Sequence, residues 1–139
     1  MMISSIHAWP IIVASIVAFG IGALWYSPIL FGKEWMALMK MTDADMSAES
    51  TKGMWKLYVS QFVITLITFS VLGFFVAFTG SRTAGDGAFL GFLVWLGFSA
   101  TESVGEILWR KTPLKMVLIS SISTLVIYLV GGAIIGAWQ

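Results

Sequence analysis

The sequence predicts an all-α integral membrane protein, with four transmembrane helices and a cytoplasmic interfacial amphipathic helix in the first loop. Three observations carry this. Hydrophobic residues make up 58% of the 139 residues and charged residues only 11%, against roughly 25% charged in an ordinary soluble domain. Four apolar stretches are each long enough to cross a hydrocarbon core of about 30 Å at about 1.5 Å per residue. Lys and Arg collect in alternate loops. So short a chain has too little interior to hide this much apolar surface, so lipid is its expected solvent. The whole chain, 1–139, reads as one membrane domain.

The first stretch runs from Ile6 to Tyr26. No Lys or Arg precedes it, and it continues too far for the short apolar core of a signal peptide, so it is expected to be a retained span. Pro28 ends it. Within the loop that follows, Phe31, Trp35, Leu38 and Met39 recur at helical spacing while Lys33, Glu34 and Lys40 fall elsewhere. That is the pattern of a helix lying in the cytoplasmic interface. Thr42 with Asp45 three residues on resembles a capping box, and Asp43, Asp45 and Glu49 read as the solvated part of a short helix leading into the second span.

The second span is expected from Leu57 to Phe78, the third from Gly87 to Trp109 and the fourth from Leu114 to Trp138. The small polar residues from Thr79 to Asp86 favour a turn. Arg110-Lys111-Thr112-Pro113 breaks the chain again, with Pro113 suited to the first turn of the fourth helix.

Orientation follows from the basic residues, because positive loops stay in the cytoplasm. Lys33, Lys40, Lys52, Lys56, Arg110, Lys111 and Lys115 lie on one side and Arg82 alone on the other, seven against one. Both termini are therefore expected on the non-cytoplasmic side. Trp9, Trp25, Trp109 and Trp138 fall near span ends, as aromatic belts require.

Composition also excludes functions. A net charge of +1 without a Lys/Arg stripe rules out a nucleic-acid footprint. No cysteine means no disulfide framework, thiolate metal site or cysteine nucleophile. The single His7 has no second ligand near it in sequence, and no nucleotide loop, nucleophile elbow or zinc signature occurs. No cofactor is expected, and an enzyme is the least supported class because no nucleophile and base pair stands out.

The run from Gly22 to Met36, containing Trp25-Tyr26-Ser27-Pro28 and Phe31-Gly32-Lys33-Glu34-Trp35, resembles the opening signature of the DUF1761 family. Trp95-Leu96-Gly97-Phe98 and the run from Gly132 to Trp138 are similar to that family too. The resemblance implies a multi-pass protein of the bacterial cytoplasmic (inner) membrane with about four spans. It brings no established activity and no catalytic residues, and Glu102 and Glu106 are not part of its pattern.

Carboxylates inside a span cost roughly 2.5–3.5 kcal/mol for Asp at the helix centre and are functional candidates by default. Only the third span has them. Glu102 and Glu106 are four residues apart and so share a face, about 10 Å and 4–5 Å inside the Trp109 end. Glu106 is expected to pair with Arg110 or to snorkel to the interface. Glu102 is deeper, where a proton or small cation would relieve the cost of its charge. Gln61 and Thr65 in the second span, and Ser120, Ser121 and Thr124 in the fourth, fall at similar depth, where they would either line a polar pocket with Glu102 or bond between helices.

Small residues form stripes at Ala14, Ala18 and Gly22, at Gly97, Thr101 and Gly105, and at Gly132 and Gly136. Such stripes let backbones approach closely, within the subunit first and in a homo-oligomer second. Two functions stand from the sequence. One is a proton- or cation-linked transporter or ion-conducting protein using Glu102, with Glu106 tuning it. The other is a non-catalytic packing or scaffold protein that contacts another membrane component.

Overall fold

The computed structural model describes residues 6–40 and 54–138. These residues form α1 (Ala8–Trp25), α2 (Gly32–Leu38), α3 (Met54–Thr79), α4 (Ala84–Val94), a π-helical segment (Trp95–Ala100), α5 (Thr101–Trp109) and α6 (Leu114–Ala137). The π segment joins α4 and α5 into one rod. Four helical rods are thus long and apolar enough to cross a membrane: α1, α3, the α4–α5 rod and α6. No more than 28% of the most apolar window of any of them is buried inside the chain. Lipid is what that exposed apolar surface suits.

The four expected spans are all present, with ends moved by three residues or fewer. The largest shifts are at the starts of the second and third spans. Ala84, Gly85 and Asp86, read from sequence as part of a turn, make the first turn of α4. The cause is a cap. The Thr83 hydroxyl accepts the Asp86 backbone N–H at 3.0 Å, and the Asp86 carboxylate sits where the helix dipole favours negative charge.

The core is a three-helix contact among α1, α3 and α6. Ile11, Ala14 and Ala18 of α1 meet Phe69, Leu72 and Val76 of α3 and Ile135 of α6. Of the first small-residue stripe, Ala14 and Ala18 are buried as expected, whereas a Cβ on Gly22 would meet nothing within 4 Å. Hydroxyls in this layer close back on their own helices: Ser15 donates to the Ile11 carbonyl at 2.7 Å and Thr65 to the Gln61 carbonyl at 2.8 Å. That leaves no donor bare in an apolar setting.

Against the other side of α6 lies α4, in the most extensive helix contact of the chain. Its floor is glycine. A Cβ on Gly87 would fall on the Gly132 carbonyl, one on Gly91 on the Tyr128 carbonyl, and one on Gly136 on the Thr83 carbonyl. Gly132 and Gly136 were legible as a packing stripe. Their partners in the third span are Gly87 and Gly91, not the expected Gly97, Thr101 and Gly105. At Gly97 and Gly105 a Cβ would meet nothing within 4 Å.

The end of the bundle where α1 closes is organised by the turn that follows it. Backbone bonds from Phe31 N–H to the Trp25 carbonyl at 3.0 Å and from Gly32 N–H to the Ser27 carbonyl at 2.9 Å fold the chain back. A Cβ on Gly32 would lie 2.5 Å from the Tyr26 carbonyl oxygen and 2.7 Å from Ser27, so only glycine fits. Trp25 packs on Phe31 and Tyr26 on Trp35, with ring centroids 4.9 and 5.1 Å apart. The seven residues of α2 expose Lys33, Glu34 and Ala37 and half-bury Trp35, Met36 and Leu38. Lys115 of α6 meets Glu34 at 3.3 Å, an exposed pair that is worth little by itself. The expected cap at Thr42 and Asp45, together with Asp43, Glu49 and Lys52, lies outside the described residues.

Candidate functional site

Sequence spacing put Glu102 and Glu106 on one helix face, and the structure places them there. Thr101, Glu102, Gly105, Glu106, Trp109 and Arg110 line an open groove. Every lining residue belongs to α5 or the residue that follows it. Both carboxylates and the Arg110 guanidinium are exposed.

The groove faces outward because of the π segment. In an uninterrupted α-helix, at about 100° per residue, Phe98 would point about 20° and Glu102 about 60° from the direction of Gly87, onto α6. A π turn holds more residues than an α turn and carries the following side chains round. Trp95 marks where the change begins: its indole N–H donates to the Ser121 carbonyl of α6 at 3.0 Å. Beyond it Phe98 is 73% exposed and Glu102 is exposed, while Ser99, Ala100, Ser103, Gly105 and Ile107 are half-buried. α5 also touches α6 far less than α4 does.

The floor of the groove is shallow. The Thr101 hydroxyl is turned down onto the Gly97 carbonyl at 2.8 Å, and Gly105 has no side chain. Trp109, 86% exposed, and Arg110 close its lower end. Among the described residues the one ion pair is Lys115 with Glu34, so the expected Glu106–Arg110 pair is not formed. What links those two residues is backbone: the Arg110 N–H donates to the Glu106 carbonyl at 3.1 Å.

The other candidate residues lie elsewhere. Gln61 is exposed on α3 and its amide reaches Thr65 of the same helix at 3.4 Å. Ser120 donates to the Met116 and Val117 carbonyls, each at 3.2 Å, and Thr124 to the Ser120 carbonyl at 3.0 Å. Ser121 lends its carbonyl to Trp95. None of Gln61, Thr65, Ser120, Ser121 and Thr124 lines the groove with Glu102. The sequence expectation concerned depth alone, and depth says nothing about direction around a helix axis.

Sequence reasoning missed two residues that position the site. Trp25, taken as a belt residue, donates its indole N–H to the Ile119 carbonyl at 2.9 Å. Trp95 grips the same helix two residues further on, from the third rod. α6 is held between the two indoles. The Gly87-x-x-x-Gly91 spacing was the available signal for the α4–α6 seam.

Four helical rods long and apolar enough to cross a membrane, one of them with an acidic face turned away from the bundle, are what an α-helical membrane protein presents. The chain belongs to the family described as "Protein of unknown function (DUF1761)", whose model matches residues 9–136. No curated protein and no solved structure matches it.

Proposed function

We propose that this protein is non-catalytic and works by docking a helix of another membrane component on the α5 groove. The observation that carries the reading is a mismatch within the third rod. It is the least apolar of the four and the only one with carboxylates between its ends, yet only 11% of its most apolar window is buried, against 22–28% for the others. A rod so composed is poorly suited to lipid, and charged groups at this depth ordinarily face protein or water. A docking helix would cover Glu102 and Glu106 and use the flat floor at Thr101 and Gly105 for close approach.

The setting proposed is a bacterial inner membrane, with both termini outside and α2 lying in the cytoplasmic interface on its half-buried face. The test is a photo-crosslinking side chain placed at Thr101 in native membranes, with Ile67, 61% exposed on α3, as the comparison position. Protein adducts at Thr101 and only lipid adducts at Ile67 are the expected result. Lipid adducts alone at both positions would sink the docking reading.

A second reading, proton- or cation-linked transport, is favoured by the i, i+4 spacing of Glu102 and Glu106 at membrane depth. In that case Glu102→Gln abolishes a pH-dependent flux in proteoliposomes while Glu106→Gln only shifts it. Flux unchanged by Glu102→Gln removes this reading.

A further inference from the structure

We propose that the occupant of the α5 groove is a second copy of this chain, and that Arg110 of each copy completes the Glu102–Glu106 face of the other. The inference rests on the docking reading above and names its partner.

The face is self-complementary in charge. It presents two carboxylates and one guanidinium within about two and a half helical turns, none of them in an ion pair among the described residues. A foreign helix would have to bring a cation to this depth. A second copy in the same membrane orientation brings Arg110 at about the right level, since Arg110 lies four residues, about 6 Å, below Glu106 along the axis. An extended arginine spans that distance. A two-fold axis along the membrane normal makes the contact twice, Glu106 of one copy to Arg110 of its partner and the reverse, as an isologous interface does. Glu106 of each copy then meets a guanidinium suited to bidentate contact.

The face is self-complementary in shape as well. Gly97, Thr101 and Gly105 repeat at four-residue intervals, and a Cβ at either glycine meets nothing in the single chain. Two such stripes laid together permit the backbone approach that Gly87 and Gly132 already show inside the subunit. Exposed Phe98, Leu108 and Trp109, at 73%, 68% and 86%, supply apolar area beside the stripe.

The test uses the full chain in native membranes and in mild detergent. With the crosslinker at Thr101, the expected adduct has twice the 15.2 kDa mass of the chain. An adduct of any other protein mass overturns the second copy while leaving the docking reading in place; lipid adducts alone overturn both. Gly105→Leu fills open space in the subunit, so its thermal midpoint should match the parent while the dimer weakens at least tenfold. A dimer unchanged by Gly105→Leu overturns the proposed face. Glu106→Arg and Arg110→Glu should each lose the dimer alone and recover it when the two are co-expressed under different tags, because only pairing between copies restores both contacts. Failure to recover in the mixture overturns the Arg110 assignment.

Discussion

Gly87 and Gly132 face each other so closely that a Cβ on either would fall on the carbonyl of the other. This pair fixes the distance between α4 and α6. Close backbone approach in an apolar medium favours van der Waals contact and Cα–H···O contacts where no hydrophobic effect between helices operates. The seam then sets the start of the rod that carries the acidic groove.

Gly132→Val should therefore separate α4 from α6. Overpacking of this kind costs about 1–3 kcal/mol or more, and here the neighbour is backbone that cannot turn aside. The expected readout is a clear fall in thermal midpoint in detergent. Gly97→Ala, at a position with open space, should leave the midpoint within error or raise it slightly, since alanine favours the helix. Equal effects at the two positions would contradict the seam.

Gly32→Ala tests the turn after α1. Its new methyl would sit against the Tyr26 and Ser27 backbone, so the turn has to open and α2 has to move. Tryptophan fluorescence should report this through Trp25 and Trp35, whose rings pack on Phe31 and Tyr26. An unchanged spectrum and midpoint would mean the turn tolerates a side chain.

The two indole clamps on α6 are separable. Trp25→Phe and Trp95→Phe keep an aromatic ring and lose one donor each, to Ile119 and Ser121 respectively. Each loss should cost about 0.5–1.5 kcal/mol, the usual net worth of such a bond. Trp95→Phe should in addition loosen the π segment and alter the labelling of a cysteine placed at Phe98. Trp25→Phe should not, because it holds α6 from α1.

Orientation is tested by fusion. A reporter active only in the cytoplasm should work when inserted after Lys40 and fail when fused after Gln139, given basic residues divided seven to one. The opposite pattern reverses the topology.

Much of this fold was legible before any tertiary contact was known. The number and length of the long apolar helices follow from composition along the chain, because a bilayer imposes a fixed thickness on any helix that crosses it. Buried Ala14 and Ala18 and the Gly132–Gly136 stripe were readable for a similar reason: small residues at four-residue spacing mark where helices can touch. The sequence alone also established that Glu102 and Glu106 share a face.

Only the tertiary structure decided where that face points. Side-chain direction depends on the accumulated rotation of the helix, and the π segment at Trp95–Ala100 alters that rotation with no mark in composition or charge. It turned Glu102 away from α6, kept Ser120, Ser121 and Thr124 out of its groove, and left Gly97 and Gly105 without neighbours. Which glycines meet is likewise a matter of pairing between distant segments. Gly87 finds Gly132 because α6 passes there, a fact local patterns in an apolar helix do not carry, since lipid and protein reward the same side chains.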